Sequence, residues 1–291
     1  MKRIFLYLVF GACFVSSLYA EDVSGQVRTY QIGKFDFIAI KDVETNMGKE
    51  ILLYPDAAII GRVMANNQNP SSINAFVLRN DKENILIDTG VGEGGGFLNN
   101  LKIAGVEAKN VNIVIITHMH SDHIGGLVSS TGKKVFENAV IYINEKELNY
   151  WINSSAPDGS TSGMAKTVQS VYKDKIKTFN WGENITPEIK ALAAPGHTPG
   201  HTVFEIESDD EKMLVIADLV HILKVQMADP NMTVTFDINP REAADSRKKI
   251  FKDVSKNKKR IAGMHMPFPG VGTIIERTGG EYEFLPSVSV K

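Results

Sequence analysis

One stretch constrains this chain more than any other: Thr117-His118-Met119-His120-Ser121-Asp122-His123, with three imidazoles and a carboxylate inside six positions. The run before it, Val111-Asn112-Ile113-Val114-Ile115-Ile116, is apolar and β-branched and reads as a buried strand. Ile124-Gly125-Gly126-Leu127 follows, where glycine lets the backbone turn sharply. His118 and His120 are two apart, so on extended chain they point the same way. Asp122 and His123 fall where the strand gives out and can aim at a second point nearby. Imidazole nitrogens and carboxylate oxygens suit zinc and similar divalent ions. A lone histidine is usually a satisfied structural or surface group. Here none of the seven histidines precedes position 118, and three crowd into one turn. The stretch predicts a strand end that holds two metal ions side by side.

At 291 residues the chain can bury a sizeable core. Its 43% apolar and 23% charged content is that of a soluble globular protein, and a net charge of −2 gives no basic excess for nucleic acid or an anionic membrane. Residues 1–20 differ. Lys2 and Arg3 precede the apolar run from Ile4 to about Val15, and Ser16-Ser17-Leu18-Tyr19-Ala20 leads into Glu21-Asp22. This order of charged, apolar and small residues predicts a secretory signal peptide cleaved near Ala20, with a retained anchor as the alternative. The expected mature domain is 21–291, periplasmic or secreted, with no stable membrane span after cleavage. Cys13 is the only cysteine and would be lost, leaving no disulfide and no thiolate ligand.

Along the chain, Val27 to Asp42 reads as two strands about Gly33, with Phe35, Phe37 and Ala39 on one face and Asp36, Ile38 and Ile40 on the other. Residues 45–70 are poorly patterned, and the polar stretch Asn66 to Ser72 predicts a surface loop near the site. Asn74–Leu78 and Asn84–Ile87 predict a hairpin, and Phe97–Ala104 a helix. Ala139–Ile143 reads as a strand, and Asn144 caps a helix carrying Tyr150 and Trp151. Residues 153–163 read as a loop, and Met164–Lys173 as a helix. Further strands are expected at Ile189–Ala193, Thr202–Ile206, Lys212–Ala217, Ile261–Met264 and near 272–277 and 281–285. Asn239 and Pro240 open a helix to about Asn257.

Two motifs here are decoys. Gly90-Val91-Gly92-Glu93-Gly94-Gly95 matches the dinucleotide-binding pattern, but the next strand runs into the histidine cluster rather than to a ribose-reading acid. Asp88-Thr89-Gly90 resembles an aspartic-protease loop, but no second copy supplies the facing carboxylate. A carboxylate at that strand end has a more economical use, orienting a ligand histidine through its other ring nitrogen.

His118, His120, Asp122, His123, His197, Asp218 and His265 all fall at predicted strand ends, so one edge of a layered structure would carry them. Seven ligands exceed one four-coordinate ion and suit two. One ion would take His118, His120 and His197, the other Asp122, His123 and His265, with Asp218 between. Two such cations ionise water near neutral pH and polarise an attacked carbonyl or phosphoryl group.

These residues resemble the metallo-β-lactamase superfamily. The H-x-H-x-D-H motif is His118, His120, Asp122 and His123. The single ligands His197, Asp218 and His265 follow in the superfamily's order, and Asp88 matches its D-T-G. The resemblance implies an α/β fold, a four-layer αβ/βα sandwich of two similar halves in one domain. The likeness is nearer to the methyl parathion hydrolase-like and lactonase-type di-zinc hydrolases, on Ala193 to Thr202, Ala217-Asp218-Leu219, Val225-Gln226 and His265 to Gly270. It implies two Zn2+ (or other divalent metals) and hydrolysis of a small-molecule ester or lactone by metal-activated hydroxide, with Asp122 and Asp218 catalytic. Phosphotriester or β-lactam hydrolysis on the same site is the alternative, and a non-catalytic metal-binding protein a third reading. The family's aromatic pocket residues correspond to Phe97 and Trp151. His221 is expected as a pocket wall and His201 as loop packing. The expected partners are the substrate and, at most, a second copy of the chain as a homodimer.

Overall fold

A computed structural model describes residues 25–64, 66, 68–153 and 159–288. The predicted signal peptide and part of the predicted 153–163 loop lie outside the described residues. Two seven-stranded sheets are each built in chain order. The first contains β1 (Val27–Ile32), β2 (Phe35–Asn46), β4 (Pro70–Arg79), β5 (Asn84–Ile87), β6 (Ile113–Ile115), β7 (Val140–Asn144) and β8 (Ile176–Phe179). The second contains β9 (Asn184–Thr186), β10 (Ile189–Ala193), β11 (Thr202–Ser208), β12 (Glu211–Ala217), β14 (Arg260–Gly263), β15 (Val271–Glu276) and β16 (Tyr282–Pro286). The short strands β3 (Leu52–Leu53) and β13 (Thr233–Val234) pair with each other. In the first sheet, pairing turns parallel from β5 onward, where helices α2 (Phe97–Ile103), α4 (Glu145–Asn153) and α5 (Gly159–Tyr172) lie between the strands in sequence. In the second, β12 and β14 are parallel across α7 (Pro240–Lys256).

The two-residue alternation of β2 explains the layering. Phe35, Phe37 and Ala39 enter a core shared with Phe204, Ile206 and Val215 of the second sheet. Ile38 and Ile40 face outward and pack with Phe97, Leu101, Trp151 and Tyr172 of the helices. On the far side, Leu214, Ile216 and Ile261 meet Ile250, Phe251 and Val254 of α7. The result is helices, sheet, sheet, helices: a four-layer sandwich. Each buried phenylalanine of the central layer contributes about 1.5–3 kcal/mol from area alone.

Some boundaries differ from expectation. β4 begins at Pro70, and Ser71, Ser72 and Asn74 are buried. Ser71 and Ser72, expected in the surface loop, are strand residues because their side chains, with that of Asn74, reach the chain after β14. Ser71 donates to the His265 carbonyl, while Ser72 (2.7 Å) and Asn74 (2.9 Å) donate to that of Met266. α5 starts at Gly159 rather than Met164, with Thr161 and Ser162 turned inward. An unforeseen α1 (Ala57–Val63) is capped by Asp56, whose Oδ1 accepts from Ala58 and Ile59 N–H.

The glycine-rich 90–96 loop closes on this chain's own carboxylate. Asp42 accepts from Val91 N–H (2.7 Å) and Phe97 N–H (2.8 Å), and a Cβ at Gly95 would lie 1.8 Å from its Oδ1. The loop thus supplies no phosphate cradle.

Candidate metal centre

β6 ends at Ile115, and the chain then runs extended through His118 and His120 before α3 (Ser121–Ile124) starts. That helical turn swings Asp122 and His123 away from the direction of the first two histidines. The second sheet delivers its residues singly. His197 lies on the β10–β11 connection, Asp218 directly after β12, and His265 two residues after β14. Asp88 and Ala217, at the ends of β5 and β12, hold left-handed backbone, φ 61° and 48°. Such conformations cost free energy and concentrate where side chains must be aimed.

The seven residues converge. His118 Nε2 and His197 Nε2 each lie 3.0 Å from His120 Nδ1. Asp218 Oδ2 is 3.5 Å from His118 Nε2 and 3.3 Å from His197 Nε2. On the other side, His265 Nε2 is 3.3 Å from Asp122 Oδ2 and 2.9 Å from Asp218 Oδ2, and His123 Nε2 is 3.3 Å from Asp218 Oδ1. The donors fall into two groups, His118/His120/His197 and Asp122/His123/His265, and Asp218 touches both.

Tautomers can be assigned from the far ring nitrogens. The Thr117 hydroxyl donates to Asp88 Oδ2, so its oxygen is left to accept from His118 Nδ1–H at 3.0 Å. His123 Nδ1–H donates to Asp88 Oδ2 (2.7 Å) and His197 Nδ1–H to Asp237 Oδ1 (2.9 Å). Each leaves an Nε2 lone pair facing inward, as metal ligation requires. Burial holds His118 well below the ordinary histidine range. Burial, with His197 beside it, takes His120 to about 3, so both are neutral donors at pH 7. Burial opposes charge on His197 and His123 too, but the carboxylates around them outweigh it, lifting His197 to about 9 and His123 well above the ordinary range, so without a cation each Nε2 holds a proton that a bound metal would displace. Among the described residues, buried His123 Nε2 and Asp218 Oδ1 face each other at 3.3 Å without making a hydrogen bond to any group, a costly arrangement that a cation between them would relieve. The donor set fits divalent metal.

The site floors a cavity of about 570 Å³, walled by Met47, Tyr150, Trp151, Phe236 and Ile238 as well as by His221. Trp151 lines it, with its ring centroid 5.5 Å from that of His120. Phe97 does not. It is fully buried in the outer core with Ile40 and Leu101, because the Asp42 contacts draw the start of α2 inward. His221 is buried on the wall with Nε2 3.3 Å from Asp218 Oδ2. His201 does more than pack its loop. Its Nδ1–H donates to the Ala194 carbonyl and its Nε2 accepts the Asp218 N–H at 3.1 Å, which fixes the backbone of the shared carboxylate.

Three supporting residues escaped the sequence reading: Asp237, Arg247 and Glu147. Arg247 is buried in α7 and donates to the carbonyls of Leu219, Pro230 and Met232, pinning the segment that carries His221. Burial lowers it to about 10. Nothing local marks it, since α7 is basic along much of its length.

Residues 69–265 match the family described as "Metallo-beta-lactamase superfamily". The chain belongs to this superfamily. Among curated relatives of this superfamily member, it is 27% identical over 172 residues to the probable metallo-hydrolase YybB of Bacillus subtilis (strain 168), covering 57% of this chain and 70% of the relative. It is 26% identical over 165 residues to an N-acyl homoserine lactonase of Bacillus thuringiensis, covering 57% and 59%. Two solved structures superpose at TM-score 0.83. Hydrolase AbOPH is 27% identical, covering 91% of this chain and 99% of that one. AidC, a dizinc quorum-quenching lactonase in complex with the product N-hexanoyl-L-homoserine, is 26% identical, covering 91% and 98%. The superfamily fold and a divalent-metal hydrolase site therefore rest on sequence and on shape together.

Proposed function

We propose that this metallo-hydrolase is a di-zinc enzyme that opens a lactone or cleaves an ester of a small amphiphilic molecule. The observation that carries the reading is Asp218: one carboxylate in contact with both donor groups, on the floor of an apolar-walled cavity. His118, His120 and His197 would hold one ion, Asp122, His123 and His265 the other. When bound, two zinc ions supply Lewis acidity that acidifies water and polarises the scissile carbonyl.

The chain's own residues do the rest. Tyr150, Trp151, Phe236 and Ile238 exclude water and hold an apolar tail; Phe236 and Ile238 are 48% and 41% exposed at the rim. Asp122 is the less buried of the two site carboxylates, with 26% of its side chain open against 2% for Asp218. It faces the cavity and can pass a proton to the leaving oxygen. Burial pushes its pKa up, but His123 and His265 outweigh that and hold it below the usual range, so it starts as a base. The likeness to lactonases supports the ring-opening reading.

The test is a panel of N-acyl homoserine lactones, aryl esters, a paraoxon-like triester and a chromogenic cephalosporin, run with metal analysis of the same preparation. Lactones or aryl esters should show the highest kcat/KM. Two bound zinc ions with no turnover on the panel would instead favour a non-catalytic metal-binding protein.

We also propose export, on the order of residues in 1–20. Among the described residues no helix is long and apolar enough to cross a membrane. Cell fractionation with N-terminal sequencing tests this; a cytoplasmic chain that keeps Met1 would refute it.

A further inference from the structure

We infer that Glu147 is a positioning residue that sets the imidazoles of the first donor group and couples them to the tryptophan wall of the pocket. This rests on the di-metal reading. Glu147 is the third residue of α4 and fully buried. Its Oε1 accepts from Met119 N–H (2.9 Å) and Trp151 Nε1–H (2.7 Å). Its Oε2 accepts from the Thr198 hydroxyl (2.7 Å) and Gly200 N–H (2.8 Å). Met119 stands between His118 and His120, and Thr198 follows His197. One carboxylate therefore ties together the two segments, 78 residues apart from Met119 to His197 in sequence, that carry all three imidazoles.

A second observation is steric. A Cβ on Gly200 would lie 2.4 Å from Glu147 N and 2.5 Å from its Cβ. The Pro199-Gly200 turn is thus seated directly on the start of α4, an approach open only to glycine.

The plain alternative is that Glu147 merely glues a helix to two loops. A buried carboxylate is a costly glue, since apolar packing of similar volume is often as stable. What it offers that apolar groups do not is four acceptor positions fixed in one plane. An amide cannot copy it, because its N–H groups would face two of the four donors. Burial pushes the Glu147 pKa up and the four hydrogen bonds oppose this.

The experiment strips metal from wild type, Glu147→Gln and Thr198→Val, then titrates zinc against a chromogenic chelator to obtain each stepwise affinity. Melting of the metal-free proteins reports the fold separately. Tryptophan emission in a Trp181→Phe background reports Trp151. E147Q should weaken one zinc affinity by about 10–100-fold, leave the other unchanged and shift Trp151 emission. T198V, which removes only a hydroxyl, should move the same affinity by less. Wild-type affinities in E147Q with only a lowered melting temperature would overturn the inference. If E147Q does not fold, T198V decides, and unaltered affinities there overturn it. A wild-type protein that takes up no zinc overturns this inference and the di-metal reading together; two zinc ions bound with the same stepwise affinities in wild type and variants overturn this one alone.

Discussion

The two halves supply the site in different ways. The first half delivers four donors from one stretch, where a strand end and a single helical turn fix their relative directions. The second half delivers three donors from three connections, each held by long-range partners: Asp237 for His197, His201 for the Asp218 N–H, and Ser71 for the His265 carbonyl. Ser71 belongs to the first sheet, so one half braces a donor of the other. A contiguous motif has its relative directions set by local backbone and shares a few tertiary anchors, Asp88 and Glu147, whereas scattered donors each need a contact of their own and can be disturbed one at a time.

The largest expected effect comes from the residue the halves share. Asp218→Ala should reduce turnover to background and bound metal below one equivalent, by metal analysis and a substrate assay; full metal content would break the two-group scheme. Asp88→Asn comes next. In the first half, Asp88 holds His123 and both the N–H and hydroxyl of Thr117, so an amide hydrogen would oppose at least one donor. A loss of about 10–100-fold in metal affinity is expected. Asp237→Asn is its counterpart in the second half. There the amide must oppose either Val234 N–H or His197 Nδ1–H, so His197 is the one candidate ligand it can loosen. Its loss should be smaller than that of Asp88→Asn in the same chelator competition. The reverse order would contradict the view that Asp88 is shared by more of the contiguous motif than Asp237 is by the scattered donors. Smallest is Ser71→Ala, which removes one buried bond between the halves and should cost about 1 kcal/mol in urea unfolding of the metal-free protein, with little change in kcat.

Much of the fold was legible because the sequence repeats with the period of its elements. The alternation in β2, the Asn239-Pro240 helix start and the hairpin at 202–217 follow local rules. The seven candidate donors were legible because their residue types cluster or sit at strand ends. Other residues were not. Ser71 and Ser72 read as loop because their polarity is satisfied by a segment 194 residues away. The resemblance implies a pocket role for Phe97, yet a short amphipathic helix does not declare which side of it meets the core. Glu147 reads as one more acid in a Glu-Lys-Glu helix start, and its burial depends on two loops closing over it.

The sequence alone determined the chemistry at hand: which donor atoms exist, which strands alternate, and where the Asn239-capped helix begins, since these depend on neighbours a few residues apart. Tertiary structure alone decided which ring nitrogen each histidine turns inward, which distant groups hold it there, and which aromatic walls the cavity. Those outcomes depend on hydrogen bonds between segments that meet only when the two sheets pack.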